Sequence, residues 1–171
     1  MTSSQDIVTE WVGFANVADD ARVSGMRARL EAIAGQPEDR RVASIKSLLD
    51  AELALDDRAL STLTRGRYRA WIGMDADTVA AISECIAEAR SQLTGPQAMR
   101  SITAGQTAAA SLTAEEVATL SELAPSFRDA LPNEMREAME AVARRERDEA
   151  AATDATTTTK RDVPFWKFWA R

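Results

Sequence analysis

Histidine is absent from the chain and cysteine occurs once, as Cys85. The first absence removes the commonest general acid or base and the commonest metal ligand, and the second excludes an intrachain disulfide. Both point away from an enzyme, and no metal or cofactor motif is present. Strand patterning is missing too, because no stretch alternates β-branched and polar residues. No apolar run approaches the roughly 18 residues of a membrane span, and the start MTSSQDIVTE lacks the basic-then-apolar order of a secretory signal. A cytoplasmic protein is the expectation.

What the chain does have is helical patterning. Its 171 residues are 45% hydrophobic and 28% charged, enough apolar material for a packed core. Apolar residues recur at steps of three and four: Val42, Ile45, Leu48, Leu49 and Leu53 form one stripe, and Val79, Ile82, Ile86, Ala89 and Leu93 another. Pro37, Pro96 and Pro132 suit first-turn positions, where a missing N–H costs nothing. Asp57 and Asp75 fit as N-caps, and Thr113 with Glu116 has capping-box spacing. The fold class predicted for residues 1–150 is all-α, a multi-helix bundle of about seven or eight short helices. Trp11 and Phe14, beside Val8 and Val12, anchor the first of them.

A period runs through this body. Val17, Gln36, Leu55, Met74, Leu93, Leu112 and Leu131 stand 19 residues apart, each followed within a few residues by a cap or a proline. An apolar residue there can staple the entry to a helix. Two units apart, MDADTVAAISEC at 74–85 resembles LTAEEVATLSEL at 112–123. The spacing suits a solenoid-like array of 38-residue helical hairpins, and equally an ordinary bundle of similar helices with generic caps.

Residues 151–163, AATDATTTTKRDV, are rich in threonine and poor in apolar anchors, and read as a flexible linker. About 13 such residues span roughly 20 Å on average. Residues 164–171, PFWKFWAR, follow as an aromatic and basic motif. On a helical wheel Phe165, Trp166, Phe168 and Trp169 share an arc of roughly 160°, with Lys167 and Arg171 opposite. Burying four aromatics gains about 1.5–3 kcal/mol each, whereas ordering eight residues costs about 1–2 kcal/mol each. The two nearly cancel, so the segment is expected to order only on contact with a surface. Three surfaces fit: a groove on another protein, an anionic membrane interface, or the body of this chain or of a second copy, which makes a homo-oligomer compatible with the sequence.

Charge separates body from tail. Lys160, Arg161, Lys167 and Arg171 against Asp162 give residues 160–171 a side-chain balance of +3, while the other residues hold 17 basic and 26 acidic side chains, or −9. The acidic body argues against nucleic acid as a partner. TRGRYRAW at 64–71 nonetheless places Arg65, Arg67 and Arg69 beside Trp71, a weak anion-binding set. The simpler reading buries Tyr68 and Trp71 on a stripe with Leu60 and Leu63 and leaves the arginines in water. Glu84, Cys85 and Glu88 likewise read as a solvated acidic face around a small buried thiol. The function expected is non-catalytic protein–protein interaction, as an adaptor or scaffold whose tail docks on a partner. A peripheral membrane protein held by the same tail, and a small-anion binder or enzyme with a site between helices, are the alternatives.

Overall fold

The structure is a computed structural model that describes residues 4–137 together with 140, 141, 144, 145 and 147. The expected linker at 151–163 and the aromatic motif at 164–171 lie outside the described residues. Two units divide the chain, Met1–Leu131 and Pro132–Arg171. In the second, residues 133–137 are helical, and Arg136 donates a hydrogen bond to the Asn133 side chain.

The first unit is all-helical throughout its described residues: α1 (Ser4–Gly13), a 3-10 turn (Phe14–Asn16), α2 (Asp19–Ala34), α3 (Glu38–Leu53), α4 (Asp57–Ile72), α5 (Ala76–Ser91), α6 (Gly95–Ala110), α7 (Ala114–Leu123) and α8 (Pro125–Ala130). The 19-residue period survives as geometry. Helices α2 to α6 are each 16 residues long. Three-residue connections join them, at 35–37, 54–56, 73–75 and 92–94, and another at 111–113 leads into α7. Val17, Gln36, Leu55, Met74, Leu93 and Leu112 each stand one place before an N-cap; Met74 is buried there, Gln36, Leu55, Leu93 and Leu112 are half-buried, and Val17 is exposed.

The caps explain why each helix begins where it does. Asp56 and Asp75 accept hydrogen bonds from the N–H groups of Ala59 and Thr78, satisfying donors that the first turn would otherwise leave orphaned. The cap of α4 is thus Asp56 and not Asp57, which occupies the first helical position. Thr113 with Glu116 closes the expected capping box, and Thr94 with Gln97 forms another. Pro37 stands at an N-cap, one residue earlier than a first-turn position, whereas Pro96 lies inside the first turn of α6. The residues that follow the five long helices, Gly35, Ala54, Gly73, Gln92 and Ser111, all have negative φ.

Packing follows alternate helices. α1 lies on α3 and α3 on α5, while α2 lies on α4 and α4 on α6. Contacts of α2 with α5 and of α4 with α7 join the two rows. Segments 38 residues apart therefore belong to one row, and the similar sequences at 74–85 and 112–123 fall on α5 and α7, which touch. Helix α4 is the most enclosed: Leu60, Leu63, Thr64, Gly66, Arg67, Tyr68, Ala70 and Trp71 are all buried. Around it Trp11, Met26, Leu30, Ile33, Val79, Ile82, Leu120 and Phe127 are almost wholly removed from water. Tyr68 meets Trp71 and Phe127 edge-on, at ring-centre distances of 5.8 and 4.9 Å, the arrangement that aligns a ring edge with a neighbour's face.

A close approach of α2 to α4 depends on Gly66. A Cβ there would stand 2.6 Å from Arg22 Cδ and 2.9 Å from Met26 Sδ. Gly66→Val is expected to destabilise the fold by about 1–3 kcal/mol through overpacking, despite valine's slightly better helix propensity. The midpoint of urea unfolding, compared with wild type, measures it.

Candidate functional site

The sequence offers Arg65, Arg67 and Arg69 beside Trp71 as a weak anion-binding set, and the structure gives these arginines different partners. Residues two apart point roughly 200° apart around an α-helix, so Arg67 faces away from the other two. Arg65 and Arg69, four apart, both reach Asp19 at the start of α2, and Arg69 Nε also donates to Glu116 Oε1 at 2.9 Å. Arg22 joins them, paired with Asp19 and donating to the carbonyls of Phe14 and Val17. This cluster fastens α2, α4 and α7 at the surface.

Partial desolvation acts to raise the Asp19 pKa, but the charges of Arg65, Arg22 and Arg69 outweigh it and hold the carboxyl below its ordinary value. Glu116 is depressed too: desolvation is again overcome, here by hydrogen bonds from the Thr113 backbone N–H and from Arg69. A carboxyl depressed in the folded state stabilises fully above its unfolded pKa and loses that contribution as pH falls through the folded one. The stability gap between wild type and Asp19→Asn should therefore be constant above about pH 5 and shrink as pH drops below about 4. Thermal unfolding followed across pH 2–7 for the two proteins checks this.

Arg67 is not a solvated flank. It is 3% exposed, and its Nη1 donates to both oxygens of Glu52, at 2.7 and 2.8 Å. Glu52, on α3, is 1% exposed and also accepts from Trp11 Nε1 of α1 at 2.9 Å. One carboxylate thus joins three helices. A signal for it exists in sequence: Glu52 lies on the stripe of Leu48, Leu49 and Leu53, and Arg67 on that of Leu60, Leu63 and Trp71, so opposite charges interrupt two apolar faces.

Arg67 also borders a second space. A cavity of about 40 Å³ between α4, α5 and α8 is lined by Arg67, Tyr68, Trp71, Ser83, Arg90 and Phe127, among others. Of the expected anion-binding set, only Arg67 and Trp71 meet here. Ser83 and Arg90 were not anticipated, although their spacing of seven places both on one face of α5. Burial, and then the charge of Arg67, pull the Arg90 pKa below the ordinary guanidinium value.

A second concave feature runs between α4 and α6. It is a groove of about 670 Å³ with Leu60, Ala104 and Ala108 among its apolar residues, and Arg58, Met99 and Arg100 at its sides. Met99 is 63% exposed and Ile102, one turn further along α6, is 49% exposed. Arg100 donates to the carbonyls of Leu53 and Leu55 and to Asp57, closing the C-terminal end of α3. Beneath the groove Leu53, Leu60 and Ala104 pack together.

The candidate contact residues Phe165, Trp166, Lys167, Phe168, Trp169 and Arg171 lie outside the described residues. Cys85 is buried, and burial raises its thiol pKa against the opposing charge of Arg41, so a thiolate is disfavoured. Among the described residues no group of acidic or sulfur side chains is placed to hold a metal ion, and no helix is long and apolar enough to cross a membrane. No protein-family model, curated protein or solved structure matches the chain.

Glu52→Ala would leave Arg67 buried beside no carboxylate, and is expected to cost about 3–5 kcal/mol. Replacing both Glu52 and Arg67 by Met should recover most of that loss, as chemical denaturation of the single and double variants can show.

Proposed function

We propose that the chain is a cytoplasmic, non-catalytic interaction protein that receives the apolar face of a partner's acidic amphipathic helix in the α4–α6 groove. The exposure of Met99, which lines that groove, carries the reading. An exposed apolar side chain at the edge of an apolar groove is the kind of feature that meets another helix.

Charge selects the partner's chemistry. The residues that line the groove include the exposed Arg58, besides Arg65 and Arg100, which pair with Asp19 and Asp57, so the groove of a protein of net charge −6 still carries a cation. The C-terminal motif is cationic as well, through Lys167 and Arg171. Both surfaces favour an anionic partner, and the aromatics Phe165, Trp166, Phe168 and Trp169 supply a second contact that raises avidity. The same tail chemistry supports the alternative of peripheral attachment to an anionic membrane.

A fluorescein-labelled helical peptide, with leucine at one face and glutamate elsewhere, serves as a defined probe. Fluorescence anisotropy should register binding to the full chain, weakened about tenfold by Met99→Glu with Ala104→Glu, two residues that line the groove. A chain ending at Thr159 should bind more weakly as well. Indifference of the peptide to the groove substitutions would sink the reading. Co-sedimentation with phosphatidylserine vesicles that needs the tail and ignores the groove, in a protein that does not bind the peptide, would favour the membrane alternative.

A further inference from the structure

The small cavity between α4, α5 and α8 gathers hydrogen-bond donors that nothing in the protein accepts from. Arg67 Nε, Trp71 Nε1, Ser83 Oγ and Arg90 Nε all belong to residues that line it, all are buried, and none has a hydrogen-bond partner. Arg67 and Trp71 are only 3% and 4% exposed, so bulk water does not serve them. A buried polar group without a partner is costly, and four around one space call for a shared acceptor. The guanidinium and indole groups can only donate. Among the lining side chains, the hydroxyls of Tyr68 and Ser83 alone can accept.

Charge points the same way. Glu52 compensates Arg67, and Arg90 takes part in none of the ion pairs among the described residues. Arg90 is half-buried, and two guanidinium groups beside the one carboxylate of Glu52 leave a local surplus of one positive charge. Arg90 lies close enough to Arg67 to be acted on by its charge, and Tyr68 is its hydrogen-bonding neighbour. One negative charge placed among the donors removes both the surplus and the unmet hydrogen bonds.

We propose that this cavity is a binding site for a single monovalent anion of halide size, held by Arg67, Trp71, Ser83 and Arg90. Its volume of about 40 Å³ is of the order of one water molecule's share of the liquid, about 30 Å³, and suits a small ion better than a larger oxyanion. A water fits the space less well chemically. It accepts two hydrogen bonds, brings two hydrogens for which the lining has few acceptors, and leaves the charge uncompensated. A halide has no hydrogens to place and accepts from several donors without a fixed direction. Ile86, Ala87 and Phe127 complete the lining.

The test uses the full chain, chloride as the probe, and gluconate to hold ionic strength constant. Chloride-35 NMR should show line broadening that saturates with protein-bound chloride and is reversed by bromide but not by sulfate. Arg90→Gln and Trp71→Phe should each weaken chloride binding by about tenfold or more, with helical content unchanged by circular dichroism. Ser83→Ala, the mildest change, should weaken it measurably and decides the matter if Arg90→Gln does not fold. The melting temperature should rise with chloride in wild type, and that rise should be lost in the folded variants. Broadening that never saturates, or that is the same in wild type and variants, overturns the site. Displacement by sulfate as effective as by bromide overturns the assigned size.

Discussion

The contact on which the arrangement turns is the carboxylate of Glu52, buried in the middle of the helical body and held by Arg67 and Trp11. Hydrophobic burial is non-directional and would tolerate many ways of stacking similar sixteen-residue helices. A buried charge is not tolerant: it must meet its partner at hydrogen-bond distance or be expelled to water. By joining residues from α1, α3 and α4, the Glu52 cluster selects one register for the two rows and penalises neighbours a turn away. Such a pair adds little net stability over well-packed apolar residues, and its value here lies in discrimination between registers.

The same cluster explains why polar chemistry reaches the core at all. Once Arg67 is drawn inward by Glu52, its guanidinium occupies space beside α5 that an apolar side chain would have filled. Trp71, one turn further along α4, and Ser83 and Arg90 from α5 border that space. The cavity is therefore a by-product of the register device and at the same time a site with its own charge demand. Across the helix, Arg65 and Arg69 perform a simpler task at the surface, where water shares the work.

The helical fold was legible because its signals are local. Apolar stripes, the Asp75 cap, the Thr113 to Glu116 box and the 19-residue spacing each depend on residues within a few turns of one another. The one-residue error at Asp56 and Asp57 reflects two adjacent acids with equal capping ability, a choice that backbone geometry resolves. The site was only half legible. Arg67 and Trp71 drew notice as an arginine and an aromatic on one segment, but Arg65 and Arg69 were grouped with them by composition, where helical rotation separates them. Ser83 and Arg90 carry no local mark, since what singles them out is the approach of α5 to α4. Glu52 could have been found by asking which charges stand on apolar stripes.

The connections between the long helices have a further consequence. Every residue that closes one of these helices has negative φ, so none needs glycine for its backbone conformation, and glycine, alanine, glutamine and serine all serve at equivalent places. The junction is an ordinary piece of backbone repeated at constant spacing, and it places no chemical condition on what precedes or follows. Architecture of this kind can gain or lose a helix by duplication or deletion without inventing a new turn. Growth is then limited by the faces alone: each added helix must match the one two places before it.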